Sequence, residues 1–101
     1  MSFEDLSEFE LRQICCFMAL VEADNNFSEA ASRVGIKQGP FSLRIQASEG
    51  KLSTSKARVD LLDRTTRPIL LTEAGKSFLK EVELALMHLD RAVSQARQAR
   101  R

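Results

Sequence analysis

His88 is the single histidine in 101 residues, and no carboxylate pair, glycine-rich phosphate loop or ligand cluster accompanies it. Acid–base, metal and phosphoryl-transfer chemistry therefore lack their usual constellations, so no enzyme activity and no cofactor are expected. Cys15 and Cys16 are adjacent, which gives neither the CxxC spacing of a zinc or redox site nor an evident disulfide, and both read as buried or half-buried thiols. What remains is recognition chemistry, carried by guanidiniums, ammoniums, amides and hydroxyls.

Their distribution is uneven although the net charge is only +1. Residues 1 to 10 hold Glu4, Asp5, Glu8 and Glu10 without a base. Residues 33 to 67 hold Arg33, Lys37, Arg44, Lys51, Lys56, Arg58, Arg64 and Arg67 against Glu49, Asp60 and Asp63, an excess of five positive charges. Such an excess is either a phosphate-binding surface or an ordinary solvated face, and charge alone does not choose. A chain of this length with 44% hydrophobic residues builds one modest core. No apolar run is long enough to span a membrane, and the acidic N-terminus is unlike a signal peptide. A cytoplasmic protein without membrane contact or small-molecule ligand is expected.

The elements that must position these side chains are mostly helical. Ser7-Glu8-Phe9-Glu10 reads as a capping box that starts a first helix near Glu8. Leu11, Ile14, Cys15, Met18 and Val21 then recur at helical spacing, widened by Phe17 and Leu20, until Asp24-Asn25-Asn26. Ser28 is expected to cap a second helix through Val34, with Ala30 and Ala31 allowing close approach and Gly35 ending it. Pro40 fits the first turn of a third helix. Phe41, Ile45, Ser48 and Leu52 share one side of that helix, which turns Gly39, Leu43, Gln46 and Gly50 outward. Two short helices around a glycine turn, the second presenting an outward face, form a helix-turn-helix able to enter the DNA major groove. LLDR (61–64) and PILLT (68–72) read as the strands of a hairpin wing tipped by Arg64, Thr65, Thr66 and Arg67.

In sequence, ELRQICCFMALVEADNNFSEAASRVGI, KQGPFSLRIQASE and LLDRTTRPILLTEAG resemble the N-terminal winged helix-turn-helix domain of LysR-type transcriptional regulators, over about residues 10 to 98. The resemblance implies a dimeric bacterial DNA-binding regulator. Four departures stand out. Lys37 replaces a capping serine or threonine and Pro40 comes one residue late, which predicts a third helix starting one residue late. Leu43 and Arg44 replace an arginine and a glutamine, and Ser48 replaces a core leucine. Eight residues, Ser53 to Asp60, stand where about three are typical for this fold class. Their composition predicts a disordered loop, with an added phosphate contact from its lysine and arginine as the alternative.

From Thr72, expected to cap it, a last helix of roughly 26 residues carries Leu79, Val82, Leu86, Leu89, Val93 and Ala96 in steps of three and four. That seam suits a partner helix, while Phe78, Leu84 and Met87 are expected on the first helix. In the family this segment is the linker helix that pairs two DNA-binding domains.

The expected architecture is thus mainly α, a winged helix-turn-helix with a two-stranded wing (1–72) and a long C-terminal dimerisation helix (73–101). The expected partners are double-stranded DNA and a second copy. DNA-contact candidates are Ser28, Lys37, Gln38, Pro40, Ser42, Leu43, Arg44, Gln46, Arg64 and Arg67. Gln46 suits a base edge, Leu43 a thymine methyl and Arg44 a phosphate; Ser28 adds a backbone contact near a helix start. Leu79, Val82, Leu86, Leu89 and Val93 are the dimerisation candidates. The competing expectation is a protein-interaction module of the same fold, forming mixed dimers without binding DNA, which the near-neutral net charge and Leu43 permit.

Overall fold

The structure, a computed structural model, describes residues 11–100; the expected capping box at Ser7–Glu10 and helix start near Glu8 lie outside the described residues. Among the described residues, four helices and one two-stranded sheet follow in the order α1 (Leu11–Glu22), α2 (Phe27–Val34), α3 (Gln38–Leu52), β1 (Leu62–Asp63), β2 (Leu70–Leu71) and α4 (Glu73–Gln98). The strands pair antiparallel, Leu62 opposite Leu71 and Asp63 opposite Leu70. This is the expected mainly helical fold with a wing, although each strand is only two residues long.

The core forms where α1, α2 and α3 meet: Cys16, Phe17, Leu20, Ala30, Ala31, Phe41, Ile45 and Leu61 are all buried. Phe27 meets Phe41 edge to face at 6.0 Å, and Phe17 meets Phe78 of α4 in the same way at 5.3 Å. The buried face of α1 differs from the expected stripe. Leu11 and Cys15 are exposed, whereas the expected Phe17 and Leu20 are buried together with Gln13, Cys16 and Ala19, and Met18 and Val21 pack against the core. Cys15 lies about 100° from Cys16 on the side away from Phe17, so it falls outside the buried arc that Cys16 and Phe17 share.

Asp24 and Asn25 make the turn after α1 with positive φ of 53° and 64°, a conformation that Asp and Asn tolerate better than most side chains. Asn26, rather than Ser28, caps α2: its side chain accepts from the Glu29 amide at 3.0 Å. Ser28 falls one residue inside the first turn. At the other end Gly35 adopts φ 76° and donates to Ser32, while Ile36 donates to Ala31, both at 3.1 Å. This paired closure satisfies the last carbonyls of α2 and allows the sharp restart.

α3 begins at Gln38 with Lys37 at the N-cap, so the expected late start does not occur; the lysine takes the cap position but makes no side-chain cap bond. Pro40 is the third helical residue, compatible because first-turn amides have no intrahelical acceptor. Phe41, Ile45 and Ser48 face inward as expected. Ser48 is 1% exposed, and its hydroxyl donates to the Arg44 carbonyl at 3.2 Å, so the polar side chain is satisfied without water.

The eight-residue segment after α3 is tied to itself, not a disordered loop. Ser53 Oγ donates to the Glu49 carbonyl and accepts from the Val59 amide at 2.8 Å, while Thr54 and Ala57 exchange backbone hydrogen bonds. Thr72 caps α4 as expected, accepting from the Gly75 amide at 3.0 Å. A Cβ at Gly75 would run into the Leu61 carbonyl and Leu71, so glycine sets how closely α4 can approach the wing.

On α4, Phe78 and Leu79 pack on the core and Val82 is buried, but Leu84 and Met87 are exposed. Leu84 and Met87 lie about 160° and 140° around the helix from Val82, whereas Phe78 lies only about 40° away. They cannot join Phe78 on α1. Among the described residues no helix is long and apolar enough to cross a membrane.

Candidate nucleic-acid interface

Both ends of α3 border clefts, and five of the sequence candidates line them. At its start, Ser28, Gln38 and Arg67 line one cleft together with Asn25, Asn26 and Pro68. Three separate stretches of chain meet there: the first turn of α2, the first turn of α3 and the wing tip. Asn25 fastens the wing to the α1–α2 turn by donating to the Ile69 carbonyl at 2.9 Å. Arg67 is exposed, and one of its terminal nitrogens donates to the carbonyls of Arg64 and Thr66, each at 2.9 Å.

The first amides of α3 have no intrahelical acceptor and meet no side-chain cap at Lys37. The positive end of a helix dipole, Lys37 beside it and Arg67 across the cleft favour an oxyanion such as phosphate. Pro40, which has no N–H, is exposed on the same turn.

Along the outward face, Leu43 is 65% exposed and Gln46 is exposed, with Ser42 half-buried at its edge. Among the described residues nothing covers Leu43, as its outward position predicts. Arg44 turns the other way. It is half-buried, one terminal nitrogen lies 3.9 Å from Cys16 Sγ, and it lines a cleft with Arg12, Cys15, Val34 and Ile36. The structure thus separates Arg44 from the Leu43–Gln46 face.

At the far end of α3, Arg64 has an internal partner. Its guanidinium donates to both carboxylate oxygens of Glu49, at 2.9 and 3.2 Å, and Glu49 also accepts from the Leu61 amide at 2.7 Å. The Glu49 side chain is 8% exposed and that of Arg64 36%. This bidentate pair joins α3 to β1 and orients the wing. Sequence reasoning treated Glu49 only as a charge. Its spacing carried a signal, since it lies four residues after Ile45 and three before Leu52 on the inward stripe, where an acid must find donors.

At the wing tip, the Thr65 hydroxyl and then the Thr65 amide donate to Asp63 and hold its carboxyl below the ordinary carboxylate range. His88 is exposed on α4, and no cluster of His, Cys, Asp or Glu fit to hold a metal occurs among the described residues.

Residues 11–76 match the family described as bacterial regulatory helix-turn-helix protein, lysR family. The chain belongs to this family. It is 40% identical over 87 residues to the uncharacterized HTH-type transcriptional regulator YnfL of Escherichia coli K12, covering 86% of this chain and 27% of that protein. The HTH-type transcriptional regulator BudR of Raoultella terrigena is 46% identical over 69 residues, covering 68% of this chain and 22% of its own length. The chain therefore spans about a quarter of these relatives.

Among solved structures, the BenM_DBD/benA site 1 DNA complex aligns with a TM-score of 0.79 at 33% identity, over 89% of this chain and 94% of that one. The CbnR_DBD–DNA complex aligns with a TM-score of 0.78 at 36% identity, over 92% of this chain and all of that one. The winged helix-turn-helix expected from the sequence is the fold of this lysR-family domain.

Proposed function

We propose that the chain is the sequence-specific, double-stranded DNA-binding part of a bacterial transcriptional regulator, acting in the cytoplasm as a dimer with α3 in the major groove. The observation that carries this reading is the meeting of Ser28, Gln38 and Arg67 in one cleft at the start of α3, beside the uncovered Leu43–Gln46 face. Phosphate held in that cleft fixes register, and Leu43 and Gln46 then meet base edges. The likeness to two protein domains solved as DNA complexes supports it, and the regulator relatives argue against an enzyme.

Lys37 and Pro40 stand on either side of the cleft residue Gln38 and its neighbour Gly39 at the start of α3, Ser42 flanks the reading face and Arg44 serves a phosphate beside α1. Arg64 acts through its ion pair with Glu49, which sets the position of the wing. The dimer seam is Leu86, Leu89 and Val93: Leu89 and Val93 are 46% and 42% exposed. Leu79 and Val82, nearer the start of α4, are already engaged by their own domain and extend the seam only at its edge.

Two measurements test this reading. Retardation of duplex DNA should weaken steeply with salt, by about 0.9 log units of affinity per log unit of salt for each neutralised phosphate. Leu89→Lys should move the protein from dimer to monomer in sedimentation, because it places a charge in an apolar seam. If the unaltered chain retards no duplex at low salt yet forms mixed dimers with another regulator, the interaction-module reading replaces this one.

A further inference from the structure

The cleft at the C-terminal end of α3 is lined by Gln46, Glu49, Gly50, Ser53, Arg58 and Arg64, among others. It joins the outward face of the helix to the eight-residue segment. We infer that Arg58 is a second phosphate clamp, gripping the DNA backbone that borders the groove read by Gln46. This inference rests on the DNA-binding reading and assigns its segment a role.

Three observations support it. The segment is fixed against α3: Ser53 Oγ bonds both the Glu49 carbonyl and the Val59 amide, so Arg58 leaves the chain from an anchored position. The Arg58 side chain is 83% exposed, and its Nε donates to Asp60 at 3.2 Å. Its two terminal nitrogens carry no hydrogen bond among the described residues, which leaves them as a fork for two phosphate oxygens. Finally, the two ion pairs of the cleft differ in exposure: the Arg64 guanidinium is held by the nearly buried Glu49 carboxylate, whereas Arg58 and Asp60, with side chains 83% and 41% exposed, form a surface pair of the kind that holds weakly.

Geometry selects phosphate over a base. The major groove is about 12 Å wide and a helix with its side chains about 10–12 Å across. With Gln46 on the floor of the groove, a side chain projecting from beside the helix meets the strand at the groove's edge.

The test compares the unaltered chain with Arg58→Ala and Arg58→Lys, using a preferred duplex and a random one across a salt series. Arg58→Ala should lower affinity for both duplexes by the same factor and make the salt slope shallower by about 0.9, with an unchanged thermal melt. Arg58→Lys should keep the slope, because it keeps the charge. A slope unmoved by Arg58→Ala, while the unaltered chain still binds, overturns the clamp and leaves the DNA-binding reading standing. A loss confined to one base pair also overturns it, since that would make Arg58 a base reader. No binding by the unaltered chain removes both.

Discussion

The two ends of α3 are built in opposite ways. Its start opens a cleft lined by Ser28, Gln38 and the exposed Arg67, drawn from three segments, where Arg67 donates to carbonyls of its own hairpin. Its end contains a buried carboxylate, Glu49, whose oxygens take both Arg64 and the Leu61 amide. Arg64 and Arg67 are three residues apart on one short hairpin, yet one guanidinium completes the interior of the domain and the other faces outward. A basic hairpin is therefore not uniformly a DNA-contacting surface, because each arginine goes where an acid or an open cleft awaits it.

The largest effect should come from breaking the internal end. Glu49→Leu removes the carboxylate and leaves Arg64 and the Leu61 amide without their acceptor, which should cost on the order of 3 kcal/mol in chemical denaturation. A loss below about 1 kcal/mol, the level of an exposed pair, would show that the two ends of α3 do not differ in kind. Gln46→Ala should leave stability unchanged and cost roughly 1–3 kcal/mol on a preferred duplex, relaxing preference at one base position. Equal loss on preferred and random duplexes would assign Gln46 to the backbone instead.

Arg67→Ala sharpens the contrast within the wing. It should lower affinity for all sequences and reduce the salt slope by about 0.9 without altering the unfolding transition, because its hydrogen bonds are exposed surface bonds. Destabilisation comparable to that of Glu49→Leu would contradict the division between the two arginines. Leu43→Arg should strengthen binding to many duplexes, since it adds a phosphate-seeking charge to an exposed apolar site; unchanged random-duplex affinity would count against an outward Leu43.

The smallest effect concerns Asp63, whose carboxyl is held below its ordinary range by Thr65. A lowered native-state value means that its contribution is fully present above the ordinary carboxylate range. It is lost as pH falls through the lowered value. Thr65→Val removes the hydroxyl and should raise the Asp63 titration midpoint followed by NMR, and an unmoved midpoint would refute the assigned cause.

Much of this organisation was legible in the sequence. Inward positions Phe41, Ile45 and Ser48 and outward Leu43 and Gln46 follow from a 100° step, and the end of α2 at Gly35 and the cap of α4 at Thr72 follow from local backbone chemistry. These depend on residues within a few positions of one another, so a linear reading finds them. The face α1 buries was legible only in part: Phe17 and Leu20 are buried as expected, with Met18 and Val21 packed against the core, but α1 carries apolar residues on more than one side and only the packing of its neighbours selects Cys16 over Cys15. The capping by Asn26 was not legible, because three adjacent polar residues compete and the turn geometry decides. The fates of Arg64 and Arg67, and the anchoring of the Ser53–Asp60 segment, depend on partners brought together only by folding. The spacing of the charges was set along the chain; tertiary structure decided which were neutralised inside, because a buried carboxylate must be paired wherever the chain places its donor.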